Sequence, residues 1–126
     1  MLGSSAVVAF VPSRSPTKSR SFYEHTLGLG FVSEDQFADV FDANDVMVRV
    51  VDVSSVEGFR PFPFTILGWS VDDIAKTVKG LQKRGVQFER YAGMDQDQLG
   101  IWTSPSGARI AWFQDPDGNV LSVAEA

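Results

Sequence analysis

The sequence predicts an α+β fold made of two βαβββ units, about residues 5–53 and 64–126, joined by a linker at about 54–63 within one domain spanning 1–126. Three observations lead there. The order strand, helix, glycine, three strands is legible twice along the chain. A local register repeats as well, with Phe31 three residues after Gly28 and Phe88 three residues after Gly85. Finally, Ser54 to Pro63 carries Gly58, Pro61 and Pro63 among serines and charges, the composition of a connection. With 126 residues, 44% hydrophobic, and 10 Phe and 3 Trp, the chain suffices for one substantial core.

In the first unit, Ala6 to Val11 is a short β-branched and aromatic run, and Pro12 is expected to end it. Ser15-Pro16 then supplies an N-cap with proline at the first helical position. Helix one runs to about Leu27, with Phe22, Tyr23 and Leu27 as its apolar side, and Gly28 takes the left-handed cap. Phe31 to Ser33, Phe37 to Phe41 and Val46 to Val53 read as strands, with Asn44-Asp45 turning between the last two.

In the second unit, Phe64 to Val71 is a strand and Asp72-Asp73 caps helix two. Ile74, Val78 and Leu81 fall at i, i+4 and i+7 and form that helix's buried stripe, and Gly85 ends it. Val86 to Glu89 follows as a strand, then the polar loop Tyr91 to Gln98. A hairpin from Ile101 to Gln114 turns at Ser104-Pro105-Ser106-Gly107, and Val120 to Ala124 is the last strand.

The stretch Ile110-Ala111-Trp112-Phe113-Gln114-Asp115-Pro116-Asp117-Gly118-Asn119-Val120-Leu121-Ser122-Val123 is the most telling. Proline sets φ, glycine allows positive φ, and Asp and Asn bond their own backbone, so it reads as a hairpin. Together with Ser21-Phe22-Tyr23-Glu24-His25-Thr26-Leu27-Gly28-Leu29-Gly30-Phe31 and Ile66-Leu67-Gly68-Trp69-Ser70-Val71-Asp72-Asp73, it resembles the vicinal oxygen chelate superfamily. That superfamily holds glyoxalase I, the extradiol dioxygenases, fosfomycin-resistance enzymes and bleomycin-binding proteins. The resemblance covers nearly the whole chain. It implies sheets curled into a cup, helices outside, the site inside, and a homodimer.

The superfamily's name refers to a divalent metal. Carried over through the motifs, its ligand positions fall on Val8, Ile66 and Ser122, with a further one near Val48 or Arg49. None is a usual donor, since such sites need imidazole, thiolate or carboxylate. The single histidine, His25, reads as a solvated helix residue. No metal and no cofactor are therefore expected, and metal-dependent glyoxalase, dioxygenase and fosfomycin-transferase chemistry are disfavoured.

Strand alternation gives the candidate lining. If Val8 faces inward, so does Phe10; if Val46, Val48 and Val50 are buried, Met47, Arg49 and Val51 face inward. Two readings stand for Arg49: a pocket cation, or a residue at a strand edge or dimer contact paired with an acidic neighbour. Trp112 lies ten residues before Ser122, the spacing at which the extradiol dioxygenases place an active-site tyrosine. An indole there stacks on a ligand but cannot do a phenol's acid-base work. Gln114 shares its face, as do Val120 and Ala124 with Ser122; in the competing reading Trp112 is core and Phe113 faces inward. Trp69 reads as core, Trp102 as a partner of Arg109, and loop 91–98 as either a lid or a surface loop.

Lys+Arg 11 against Asp+Glu 16 gives a net charge of -5, which disfavours nucleic acid and anionic membrane surfaces as partners. No apolar run approaches the ~20 residues of a membrane helix, and the N-terminus lacks a signal's basic flank, so a cytoplasmic protein is expected. With no cysteine there is no disulfide framework and no thiol nucleophile. Two functions remain. One is a metal-free binding protein for a small, partly aromatic molecule, lined by Phe10, Met47, Arg49, Trp112, Gln114 and Ser122. The other is a metal-independent lyase, isomerase or similar enzyme acting on a small anionic or carbonyl substrate, with no base yet found.

Overall fold

The computed structural model describes residues 1–126 as two compact units, Met1–Arg60 and Pro61–Ala126. Each is a βαβββ unit. The first contains β1 (Val8–Ser13), α1 (Pro16–Ser21), a π-helical turn (Phe22–Thr26), β2 (Gly30–Glu34), β3 (Ala38–Ala43) and β4 (Val46–Asp52). The second contains β5 (Thr65–Ser70), α2 (Ile74–Lys83), β6 (Trp102–Thr103), β7 (Arg109–Gln114) and β8 (Val120–Glu125).

The two sheets share one topology, β1-β4-β3-β2 and β5-β8-β7-β6. In each, the first strand pairs in parallel with the last, and the remaining contacts are antiparallel. The repeat extends to the glycines and aromatics. Gly28 (φ 78) and Gly85 (φ 92) both take the left-handed conformation that ends a helix. The Phe31 ring then packs 5.8 Å from Phe41, and the Phe88 ring 5.3 Å from Phe113 at the equivalent place.

Helix-side cores follow from alternation. In the first unit Val11, Tyr23, Phe41, Val48 and Val50 are buried, and the Tyr23 ring lies 6.1 Å from Phe41. In the second, Ile74, Val78, Ala111, Phe113, Leu121 and Val123 are buried, which removes their apolar surface from water and supplies the main driving force for each unit. Asp73 caps α2 by accepting the Lys76 amide at 3.1 Å. The Asp115 carboxylate accepts the amides of Asp117 and Asn119 at 2.9 and 3.0 Å and the Asn119 side chain at 2.8 Å, so the turn is tied by its own side chains.

Five expectations differ from the structure. β1 continues through Pro12 to Ser13, because β1 is an edge strand and proline's missing N–H costs no ladder bond on an open edge. Helix one changes from α to π at Phe22, where the Leu27 amide reaches back to the Phe22 carbonyl at 2.9 Å. Val46 is exposed, since it follows directly on the two-residue turn at Asn44 (φ 50) and Asp45 (φ 69). Val86 to Glu89 forms no strand and contributes only a bridge from Phe88 to Phe113. Arg109 pairs with Glu125 at 3.7 Å and sits opposite Thr103, while Trp102 sits opposite Ile110.

Candidate functional site

The six residues singled out by alternation come as two sets of three, each on the helix-free face of its own sheet. In the first sheet, Phe10 and Arg49 are register partners, as are Val8 and Met47. Phe10 and Met47 are exposed, at 62% and 44%, whereas Val11, Val48 and Val50 between them are buried on the helix side. Arg49 faces this side and is paired: its Nη2 lies 3.3 Å from Asp35 Oδ2. The acidic partner expected for Arg49 is thus Asp35, although β4 is an inner strand of the sheet and not an edge.

Asp35 is itself fixed. Its Oδ1 accepts the amides of Phe37 and Ala38 at 2.8 and 2.9 Å. Those two backbone donors, more than the Arg49 guanidinium, hold its carboxyl below the ordinary carboxylate range. Asp35 therefore remains an anion that orients Arg49 across the physiological range.

In the second sheet, Trp112, Ser122 and Gly68 form one row across β7, β8 and β5. Gln114 opposite Val120 lies on the same face. Ser122 is buried at 9% exposure and Gln114 is exposed. Phe113 is fully buried against Phe88, so the competing assignment of Trp112 to the core is excluded by register. A Cβ at Gly68 would approach Ser122 Oγ to 3.0 Å and the Ser122 carbonyl to 3.3 Å, so glycine keeps this floor flat. The equivalent row in the first sheet is Phe10, Arg49 and Val40.

Two site residues escape sequence reasoning. Tyr91 packs against Trp112 with ring centroids 5.6 Å apart and planes at 77°, and Trp102 lies 6.2 Å from the same indole. Burial pushes the Tyr91 phenol above its ordinary pKa, and Glu89 adds to the effect, so the phenol keeps its proton at neutral pH. Tyr91 lies in a loop with no periodicity to place it. The signal for Trp102 was alternation itself: pairing it with Ile110 sets it on the same face as Trp112. Trp69 pairs with Val123 and belongs to the helix side, and His25 is exposed on the π-helical turn.

The sequence profile described as Glyoxalase/Bleomycin resistance protein/Dioxygenase superfamily matches residues 6–123. The chain belongs to this superfamily. A crystal structure of a superfamily member from Sphaerobacter thermophilus DSM 20745 is 25% identical, with a TM-score of 0.78 over 100% of each chain. Lactoylglutathione lyase from Agrobacterium tumefaciens is 18% identical, with a TM-score of 0.73 over 98% of this chain and 94% of that one, a likeness in fold alone. The uncharacterized protein YraH of Bacillus subtilis (strain 168) is 28% identical, covering 84% of this chain and 86% of that protein.

Superfamily membership raises the question of a divalent metal, which is put to the side chains at the implied positions. Val8, Ile66 and Ser122 occupy the ligand positions implied by the motifs, and Val48 is buried on the helix side. Nowhere do three His, Cys, Asp or Glu side chains gather in a group able to hold a metal ion. The residues present do not fit such a site. No helix is long and apolar enough to cross a membrane.

Proposed function

We propose that this superfamily member binds a small, partly aromatic molecule without a metal. The carrying observation is the aromatic corner of the second unit: Trp112 on the helix-free face, flanked by Tyr91 and Trp102, above the flat floor of Ser122 and Gly68. Three rings around one open sheet face offer stacking area that a purely structural cluster would bury on the helix side. Gln114 lines the same face. In the first unit, Phe10 and Met47 offer apolar contact, and Arg49, oriented by Asp35, offers the donor for an anionic or carbonyl group. The protein acts as a homodimer in the cytoplasm in this reading, with neither nucleic acid nor membrane as partner.

A thermal-shift screen of small metabolites tests it, because a ligand of the folded state raises apparent stability. Flat aromatic compounds are expected to raise the melting temperature, and a screen in which only aliphatic compounds do so counts against it. The alternative, a metal-independent enzyme, has the Tyr91 phenol beside Trp112 as its nearest proton-bearing group. Burial raises that phenol's pKa, which keeps it from acting as a base and makes it a weaker acid as well. Without a base on the same face, binding is the better reading.

A further inference from the structure

The loop before β6 has neither helix nor strand between Tyr91 and Gly100, apart from a bridge between Gln96 and Trp102, yet it is braced throughout. The Gln96 side chain uses its amide fully: Oε1 accepts the Tyr91 amide at 2.8 Å, and Nε2 donates to the carbonyls of Glu89 and Gly100, both at 2.9 Å. Asp97 Oδ1 accepts the amides of Leu99 and Ile101, both at 2.9 Å. Arg90 donates to the carbonyls of Asp97 and Gln98. One side chain thus joins the start of the loop to its end.

What Gln96 clamps are two aromatic neighbours of one ring. Its Oε1 holds the backbone of Tyr91, and its own backbone bridges Trp102; both side chains lie against Trp112. We propose that Gln96 is the positioning residue of the Trp112 face: it sets Tyr91 and Trp102 against the indole in advance, making loop 91–98 a fixed wall and not a closing lid. The consequence for binding rests on the reading of Trp112 given above; the clamp itself does not. A wall ordered in advance spares the ligand the cost of ordering it, so selection goes to flat aryl groups that stack on the standing rings.

Two readouts on the full chain test this, with 8-anilinonaphthalene-1-sulfonate as the aryl probe. In amide hydrogen exchange without probe, Gln96→Ala is expected to speed exchange at Tyr91 by about tenfold or more while β7 and β8 keep their protection. Gln96→Glu, which keeps the acceptor for Tyr91 but sets a carboxylate oxygen against the Glu89 and Gly100 carbonyls, is expected to speed exchange at least as much. In stopped flow, wild-type association is expected to rise linearly with probe concentration, since no opening step precedes binding. Gln96→Ala is expected to weaken the probe about tenfold through faster release.

Tyr91 exchange that Gln96→Ala leaves unchanged overturns the clamp. Association that reaches a plateau in wild type and quickens in Gln96→Ala shows a lid and overturns the wall. Should Gln96→Ala fail to fold, Gln96→Met, which keeps the side chain's length without its hydrogen bonds, carries the same comparisons. Failure of the Trp112 reading has a separate signature: Trp112→Ala leaves probe affinity unchanged, or the probe does not bind, and the exchange result then decides the clamp alone.

Discussion

The guanidinium of Arg49 stands 3.3 Å from the carboxylate of Asp35, a partner locked in place by the amides of Phe37 and Ala38. The contact uses one nitrogen of the Arg49 fork. Both groups are partly exposed, with side chains at 26% and 49%, so the pair adds little to stability and its value lies in orientation. Arg49→Ala is therefore expected to weaken an anion bound at the first unit's own helix-free face by about tenfold or more and a neutral analogue by less than about threefold. Calorimetry with a matched acid and amide pair checks it, and equal losses for both would remove Arg49 from recognition.

The donor chemistry at Val8, Ile66 and Ser122 predicts purification without stoichiometric transition metal. Elemental analysis is expected to find well under one Ni, Zn, Mn or Fe per chain. About one tightly held metal, lost on substitution of Ser122, would overturn the ligand argument.

Much of this site was legible because strands have a period of two. Once Val48 and Val50 are inside, Met47 and Arg49 face the other way, and once Leu121 and Val123 are inside, Ser122 does too. What periodicity carries no record of is contact between distant segments. Asp35 reaching Arg49 and Tyr91 reaching Trp112 depend on loop paths fixed by individual hydrogen bonds, at Phe37 and Ala38 in one case and Gln96 in the other. The strand runs through Pro12 for a related reason: a proline stops a strand only where its N–H is needed, and edge position is a property of the sheet.

Asp39 gives a pH test of stability. Burial on β3 raises its carboxyl above the ordinary 3.8, opposed by Arg20 and reinforced by Glu34 and Asp35. A carboxyl with a raised folded-state pKa binds its proton more tightly folded than unfolded, so stability falls as pH rises from about 3.8 through the folded value and stays lower at neutrality. Asp39→Asn is expected to raise the melting temperature at pH 7 by about 1 °C, an advantage that fades below pH ~3.8. A lower melting temperature at pH 7 would show that the Arg20 attraction outweighs burial.

Dimerisation is expected from the apolar side chains left in water, among them Val7 at 69% and Phe10 at 62% exposed by the open edge of β1, and Val32 at 60% on β2 at the sheet's other edge. Light scattering at micromolar concentration is expected to give twice the chain mass of 13.8 kDa. A monomer at that concentration would count against it.

Trp112 carries the central claim, and the most direct measurement is calorimetric titration of Trp112→Ala with the first aromatic ligand found in the thermal-shift screen. Loss of a stacking platform and its contact area is expected to weaken binding by ~1 to 3 kcal/mol while the melting temperature stays near that of the wild type, because Trp112 lies off the helix-side core. Unchanged affinity, or a variant that no longer folds, would contradict binding at this face.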